Sequence, residues 1–155
     1  MRFQNQETSE INHSRFVRRA IEQEEVWYLV HPKGGAATSV SMDDRETVVL
    51  LFWSDRAHAA RAKAESFPNF EETSLDLFEF LFRWLPGMAG DHVLAGTNWT
   101  QDLIGLEKDP RELHEEMNTQ MPAALRARYQ ALYEKLSKEV PPTHPDGEAD
   151  QGREQ

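Results

Sequence analysis

Apolar residues along the chain switch repeatedly between the spacing of a helix and that of a strand. The first helical stretch predicts an amphipathic helix over residues 12–24. Its apolar face comprises Phe16, Val17, Ala20 and Ile21. Runs of β-branched and aromatic residues at 26–30 and 47–53 are too short for buried helices. They predict two strands, and we expect these strands to pair with each other.

A second helix is predicted directly after the strand at 47–53. Ser54 is a favourable N-cap residue, and Asp55 places an acid in the first turn. The helix ends before Pro68 and carries a stripe of mostly small apolar residues. That stripe comprises Ala57, Ala60, Ala64 and Phe67. Because small side chains permit a close approach, we expect this stripe to pack on the sheet.

A third helix is predicted over residues 75–85, after a short strand at 70–73 and before the stop signal at Pro86. Eight of its eleven residues are apolar, which is more than one buried stripe requires. On a helical wheel, Phe80 and Trp84 fall away from the side that faces the sheet. We expect them either to pack against the C-terminal helix or to form a contact surface.

The rest of the pattern predicts a hairpin and two further helices. Residues 92–96 and 102–106 are the expected strands of the hairpin. Asp109, followed by a proline, marks the start of the next helix, and the last helix covers residues 122–138. The element order is therefore α-β-β-α-(β)-α-β-β-α-α. Hairpins indicate the α+β class, with a mostly antiparallel or mixed sheet of four to five strands packed against helices.

Polar stretches at both ends frame one predicted domain. Residues 1–10 lack periodicity, and we expect a flexible N-terminal segment there. Residues 139–155 hold three Pro, two Gly, five acids and one base, which predicts a disordered, acidic, Pro-rich tail. Residues 11–138 then form a single α+β domain, large enough to bury roughly 70% of its unfolded surface.

The charge of the chain narrows the class of partner. There are 27 acidic residues against 17 basic ones, a formal net charge of -10. Nucleic acids and anionic membranes both attract a positive patch, so we expect neither as a partner. No apolar run approaches the length of about 20 residues that spans a bilayer. The sequence has no Cys, which removes disulfides and thiolate metal sites and suggests a cytoplasmic protein.

No catalytic or metal-binding motif is complete in the sequence. Residues 114–116 begin like the HExxH zinc motif, but Asn118 stands where the second His is required. The loop at 33–39 has glycines and hydroxyls but lacks the spacing of a phosphate-binding loop. We therefore predict no catalytic residue, no metal and no cofactor, and we interpret the histidines as exposed or capping side chains.

Five short motifs occur in order at residues 25–29, 51–57, 67–70, 83–88 and 93–99. Together they resemble a bacterial family, domain of unknown function 2750, over about residues 14–118. The Phe-Trp-Ser-Asp segment also has a weaker likeness to the N-terminal domain of serine-sensitivity-enhancer proteins, a non-catalytic module. The family resemblance implies a shared site at its polar and aromatic positions. These candidate binding residues are Trp53, Ser54, Asp55, Trp84, Asn98 and Trp99.

The candidate residues leave several functions open. Ser54, Asp55 and Asn98 also fit helix-cap and turn positions. One hypothesis is an immunity-type protein that neutralises a basic protein partner such as a bacterial toxin, because an acidic domain is steered onto a basic surface. Self-association is a second kind of protein contact. The alternative is an intracellular ligand-binding or regulatory module with a pocket near Trp53 and Trp99. A lesser alternative is an enzyme without a recognisable motif.

Overall fold

Six strands in two sheets form the framework of the computed structural model, which describes residues 2–139. The strands are β1 (Glu25–Val30), β2 (Thr38–Val40), β3 (Val48–Phe52), β4 (Glu71–Asp76), β5 (Leu94–Thr97) and β6 (Leu106–Lys108). The α-helices are α1 (Arg2–Gln23), α2 (Arg56–Ser66), α3 (Leu77–Glu79), α4 (Leu85–Gly90), α5 (Pro110–Gln120) and α6 (Ala123–Glu139). A π-helical turn (Phe80–Trp84) joins α3 to α4. The predicted α+β class is confirmed.

The chain divides into two compact units, Met1–Met121 and Pro122–Gln155. In the described residues, the first unit holds all the strands and helices α1 to α5, and the second consists of α6. The single domain expected over 11–138 stays a prediction. The tail predicted at 139–155 lies outside the described residues, apart from Glu139 at the end of α6. No helix among the described residues has the length and apolar character needed to cross a bilayer.

Helix α1 begins at Arg2, ten residues before the predicted start at 12. Residues 2–10, expected as a flexible segment, thus belong to the helix. Its buried face includes Phe16, Val17 and Ala20, as the periodicity predicts. The added turns are largely polar, so hydrophobic spacing gives no sign of them.

The larger sheet is mixed, with the strand order β2-β3-β5-β6. Strand β3 runs antiparallel to β2 and parallel to β5, and β6 runs antiparallel to β5. The hairpin after β5 exists and its strands pair antiparallel, but the second strand predicted at 102–106 is wrong, because β6 covers Leu106–Lys108 and shares only Leu106 with that range. The parallel contact between β3 and β5 is possible because α2, β4 and the helices after it lie between these strands in the chain.

The predicted pairing of residues 26–30 with 47–53 is wrong. Strand β1 pairs along its whole length with β4 in a separate two-stranded sheet. It meets the larger sheet where the backbones of Trp27 and Trp53 exchange hydrogen bonds of 2.7 and 2.8 Å. Strand β2 takes the place beside β3. Its three residues contain no apolar run, so the sequence pattern does not predict it.

Strand β3 presents buried residues to both faces of its sheet, as alternation requires. Val49, Leu51 and Trp53 belong to one core cluster, together with Ala59 and Ala62 of α2. These two alanines are the buried positions of α2. The predicted stripe is therefore wrong, and its members Ala57 and Ala64 are exposed.

The helical segment after β4 starts later and ends later than predicted. Asp76 caps it, with Oδ2 accepting the backbone N–H of Phe78 at 3.0 Å. The segment continues past Pro86 to Gly90. Proline lacks an N–H, and its ring collides with the carbonyl four residues earlier in a regular helix. The wider π turn, in which the Leu85 N–H bonds to the Phe80 carbonyl, accommodates this proline.

Phe80 lies in the core rather than on a second face. It is fully buried, and its ring packs edge-on against Phe52, with 4.8 Å between ring centroids, and against Phe16 at 6.1 Å. The expectation that Phe80 forms an exposed contact surface is therefore wrong, while its packing against the C-terminal helix stays a prediction. A helical wheel assumes one constant period, and the π turn breaks that period.

Candidate functional site

The end of β3 is joined to the loop after β5 by side chains from both segments. Trp53 is fully buried, and its indole N–H donates to the carbonyl oxygen of Trp99 at 2.9 Å. The backbone N–H of Ser54 donates to Oδ1 of Asn98 at 2.8 Å. Four of the six predicted site residues therefore form one buried junction.

Asn98 is the centre of this junction. Its φ of 50° lies in the left-handed region, which asparagine tolerates better than most residues. Its Nδ2 donates to the carbonyl of Asn12 at 3.2 Å and to Oγ of Ser54 at 3.1 Å. The amide is thus used entirely inside the protein, and it links α1 to the ends of β3 and β5.

Asp55 joins the same junction from the start of α2. Its carboxylate does not cap the helix. Instead, it accepts hydrogen bonds from Arg19 at 2.9 Å, from Gln23 at 3.2 Å and from the hydroxyl of Ser54 at 2.9 Å. Burial raises the pKa of Asp55, but these hydrogen bonds outweigh burial and hold the pKa below its ordinary value. Asp55 therefore fastens α1 to α2 as a carboxylate.

Trp99 fits between two glycines of its own hairpin. A Cβ added to Gly96 would lie 2.7 Å from Nε1 of Trp99, and one added to Gly105 would overlap the indole ring. The indole N–H donates to the carbonyl of Leu106 at 2.7 Å. Because the ring is enclosed in this way, Trp99 supports the loop rather than offering a free aromatic face.

Trp84 is not part of the junction. Its half-buried ring packs against Tyr28 at 4.8 Å and against Phe52 at 5.9 Å between ring centroids. Of the six predicted residues, the structure thus brings five together and leaves Trp84 in the aromatic cluster beside Phe52. Whether these residues bind a ligand stays a prediction.

His13 forms a second buried link, which the sequence reading missed by treating histidines as exposed or capping. Its Nδ1 lies 2.7 Å from Oγ1 of Thr97, and its Nε2 lies 2.9 Å from Glu116. A hydroxyl, an imidazole and a carboxylate in this order are the groups of a nucleophilic triad. Thr97 has no exposed surface, however, and the link holds α1 against β5 and α5.

A cleft opens to solvent above the junction. We call it the α1–α2 cleft; its volume is about 340 Å³. Its walls come from α1, from α2 and from the loop between β5 and β6. The lining residues are Asn12, Arg15, His58, Arg61, Asn98, Trp99, Thr100, Gln101 and Asp102. Trp53 does not line the cleft but supports its floor through the bond to Trp99.

Basic side chains dominate the two helical walls. Neither Arg15 nor Arg61 forms an ion pair with any carboxylate among the described residues. His58 lines the same cleft and is half-buried, and burial lowers its pKa, with a further decrease from Arg61. The nearby Asp55 opposes this shift without cancelling it. The cleft therefore presents two guanidinium groups that have no carboxylate partner among the described residues, together with an imidazole whose pKa is lowered.

The sequence reading did not include Arg15, His58 or Arg61 in the candidate site. One signal was available for two of them: His58 and Arg61 are three apart on a predicted helix, which places them on one face. Arg15 lies 46 positions before Arg61 in the chain, and no local pattern connects them. Their convergence depends on how α1 and α2 pack.

A second hollow of about 370 Å³ lies between α4 and α5. Its walls are mainly apolar, with Arg111 and His114 as the polar groups, and burial lowers the pKa of His114. It contains none of the six predicted residues. Elsewhere in the described part of the chain, no three His, Asp or Glu side chains are grouped as metal ligands.

Comparison with known proteins gives one match. A family model described as a protein of unknown function (DUF2750) matches residues 13–117. This range confirms the resemblance drawn from the five motifs and includes every residue of the α1–α2 cleft except Asn12. No curated protein and no solved structure matches the chain. The likeness to serine-sensitivity-enhancer proteins stays a prediction.

Proposed function

The chain belongs to the DUF2750 family, and we propose that it is a cytoplasmic small-ligand-binding module whose site is the α1–α2 cleft. The observation that carries this proposal is the set of polar groups in the cleft. Arg15 and Arg61 have no acidic partner among the described residues, and the half-buried His58 lines the same cleft. Concave sites with convergent polar groups and a shifted pKa are typical ligand sites.

The floor of the cleft supports the same proposal. Asn98 and Trp99 are buried and hydrogen-bonded, so the walls stand on a preorganised base. Preorganisation lowers the entropic cost of binding a ligand. The predicted residues Trp53, Ser54 and Asp55 take part by positioning the cleft. The proposal thus corresponds to the ligand-binding hypothesis drawn from the sequence.

A diverse small-molecule library, screened by backbone amide shifts in NMR, tests the proposed site. We expect bound compounds to move the amide signals of residues 12–15, 58–61 and 98–102. Gln101 is exposed at the cleft wall, so Gln101→Trp should obstruct the cleft and weaken these compounds. Thr119→Trp, on an exposed position of α5, is the matched control. Compounds that move only signals around the α4–α5 hollow, or that bind both variants equally, would contradict the proposal.

A second function, the binding of a basic protein partner, is favoured by the loop between β2 and β3. Val40 of the edge strand β2, Met42 of the loop and Val48 at the start of β3 are 53%, 86% and 40% exposed. The loop between them carries three acids, Asp43, Asp44 and Glu46. Apolar contacts with an acidic rim suit a partner with basic side chains around an apolar patch. An immunity-type protein would use such a surface.

The partner proposal is tested with Met42→Ser. The immobilised chain is exposed to a lysate of its host, and the retained basic proteins are compared between variants. We expect Met42→Ser to lose a basic protein that Ile11→Ser retains, since Ile11 is an exposed apolar residue of α1. Equal retention by both variants would argue against this loop as the contact surface.

A further inference from the structure

The basic residues of the α1–α2 cleft differ from their neighbours on the same helices. On α1, Arg18 pairs with Glu22, and Arg19 pairs with Asp55 at 2.9 Å. On α2, Arg56 pairs with Glu72 at 3.4 Å. Arg15 and Arg61 point into the cleft without such a carboxylate among the described residues. In a chain with a net charge of -10, two guanidinium groups at one concave site thus have no carboxylate partner among residues 2–139.

We infer that the ligand of the α1–α2 cleft carries an oxyanion, which Arg15 binds from α1 and Arg61 binds from α2. This inference rests on the proposed function and gives it a ligand class. Guanidinium groups bind carboxylates, sulfates and phosphates through paired, charge-assisted hydrogen bonds. Two of them on opposite walls can hold the oxygens of one group from both sides.

Thr100 supplies a further donor from the loop. Its Oγ1 accepts the backbone N–H groups of Asp102 and Ile104, each at 3.3 Å. Among the described residues, this hydroxyl donates no hydrogen bond to a protein acceptor, so its proton is available to the ligand. Asn98 cannot serve in this way, because both protons of its amide bond to Asn12 and Ser54. The oxyanion is therefore bound by arginine and hydroxyl groups.

One acid also lines the cleft. Asp102 is exposed and belongs to the loop wall, where its carboxylate repels an anion and attracts a hydroxyl or amino group. The cleft is therefore positively charged on its helical walls and negatively charged on its loop wall, so the oxyanion should bind toward the helices. We expect Asp102→Asn to strengthen the binding of a simple anion that has no second group.

Because of His58, the affinity of the cleft for an oxyanion should depend on pH. The charged groups around it are Arg61 and Asp55 of its own helix region, Arg15 and Arg19 of α1, and Asp102 of the loop. In the empty cleft, burial and then Arg61 keep the pKa of His58 below its ordinary value. A bound oxyanion adds negative charge beside the imidazole and raises this pKa. Binding therefore takes up a proton, and anion affinity rises as the pH falls through this range.

Sulfate is a suitable probe because it remains a dianion between about pH 5 and 8, so any pH dependence belongs to the protein. We measure its Kd by NMR titration at constant ionic strength. We expect tighter binding at lower pH, by at most tenfold per pH unit for one linked proton. Arg15→Gln and Arg61→Gln should each raise the Kd for sulfate about tenfold or more. Arg18→Gln, the same charge change on α1 outside the cleft, should raise this Kd less than threefold.

His58→Gln should remove most of the pH dependence, so that its sulfate Kd at low pH stays close to its Kd at high pH. Parallel titrations with inorganic phosphate and malonate at pH 7 show which oxyanion chemistry the cleft prefers. Equal weakening by Arg15→Gln and Arg18→Gln would overturn the inference, because it indicates general charge attraction. If none of the three anions binds while neutral or cationic compounds bind in the cleft, the oxyanion inference is wrong and the proposed ligand-binding function stands. If no compound of any kind binds in the cleft, the oxyanion inference and the proposed function are both wrong.

Discussion

Replacing Phe80 by alanine is expected to lower the free energy of unfolding by about 3–5 kcal/mol. Phe80 has no exposed surface and packs edge-on against Phe52 and Phe16. The substitution removes an aromatic ring from the centre of this cluster and leaves a cavity that α1 and β3 cannot close fully. Urea denaturation of the full chain, followed by tryptophan fluorescence and circular dichroism, measures the change.

Phe82→Ala is the matched control for this cavity. Phe82 lies two positions further along the same π turn, is half-buried, and contacts Phe78 and His114. The decrease in unfolding free energy caused by Phe82→Ala should be clearly smaller than the decrease caused by Phe80→Ala. If Phe80→Ala costs less than about 1 kcal/mol, or if Phe82→Ala costs as much, the packing of the π turn described above is wrong.

Replacing Asn98 by alanine is expected to cost about 2–4 kcal/mol of unfolding free energy. The variant leaves the buried N–H of Ser54 without an acceptor, which costs about 1–3 kcal/mol, and releases the carbonyl of Asn12. It also places alanine at a φ of 50°, which adds about 1 kcal/mol of backbone strain. Thermal and urea denaturation measure the total.

Asn98→Gly separates the two causes. Glycine removes the same side chain but adopts a positive φ without strain. The decrease in unfolding free energy should therefore be about 1 kcal/mol smaller for Asn98→Gly than for Asn98→Ala. Asn69→Ala, at an exposed loop position, should change stability by less than about 0.5 kcal/mol. If Asn98→Ala behaves like Asn69→Ala, the hydrogen bonds of this junction do not stabilise the fold.

The sequence predicts different roles for Phe80 and Asn98. Phe80 was expected on a second helix face, and it lies in the core. Asn98 was a candidate binding residue, and all the hydrogen-bonding groups of its side chain are used inside the protein. The same is true of the indole groups of Trp53 and Trp99. Motif residues therefore mark where the candidate site lies, while the groups that we propose for ligand binding, Arg15, Arg61 and Thr100, line the cleft beside them.

Several features follow from the sequence alone because short-range interactions determine them. Asp109 caps α5 and accepts the N–H of Arg111 at 2.8 Å, as the Asp-Pro start signal predicts. The last helix, α6, begins one residue after the predicted start. The strand run at 47–53 also agrees with the pattern. Each depends on residues close in the chain, whose propensities act before the chain is packed.

Other features depend on the packed chain and have no local signal. Strand β1 pairs with β4 and not with β3. Strand pairing depends on which side chains from distant parts of the chain are buried together, and not on which strands are adjacent in the sequence. The π turn arises where Pro86 must fit into a helix that the core keeps continuous. The α1–α2 cleft needs two helices whose arginines are far apart in sequence. Whether a guanidinium has a carboxylate partner is a property of three-dimensional neighbours, so only the tertiary structure decided where this protein presents unpaired charge.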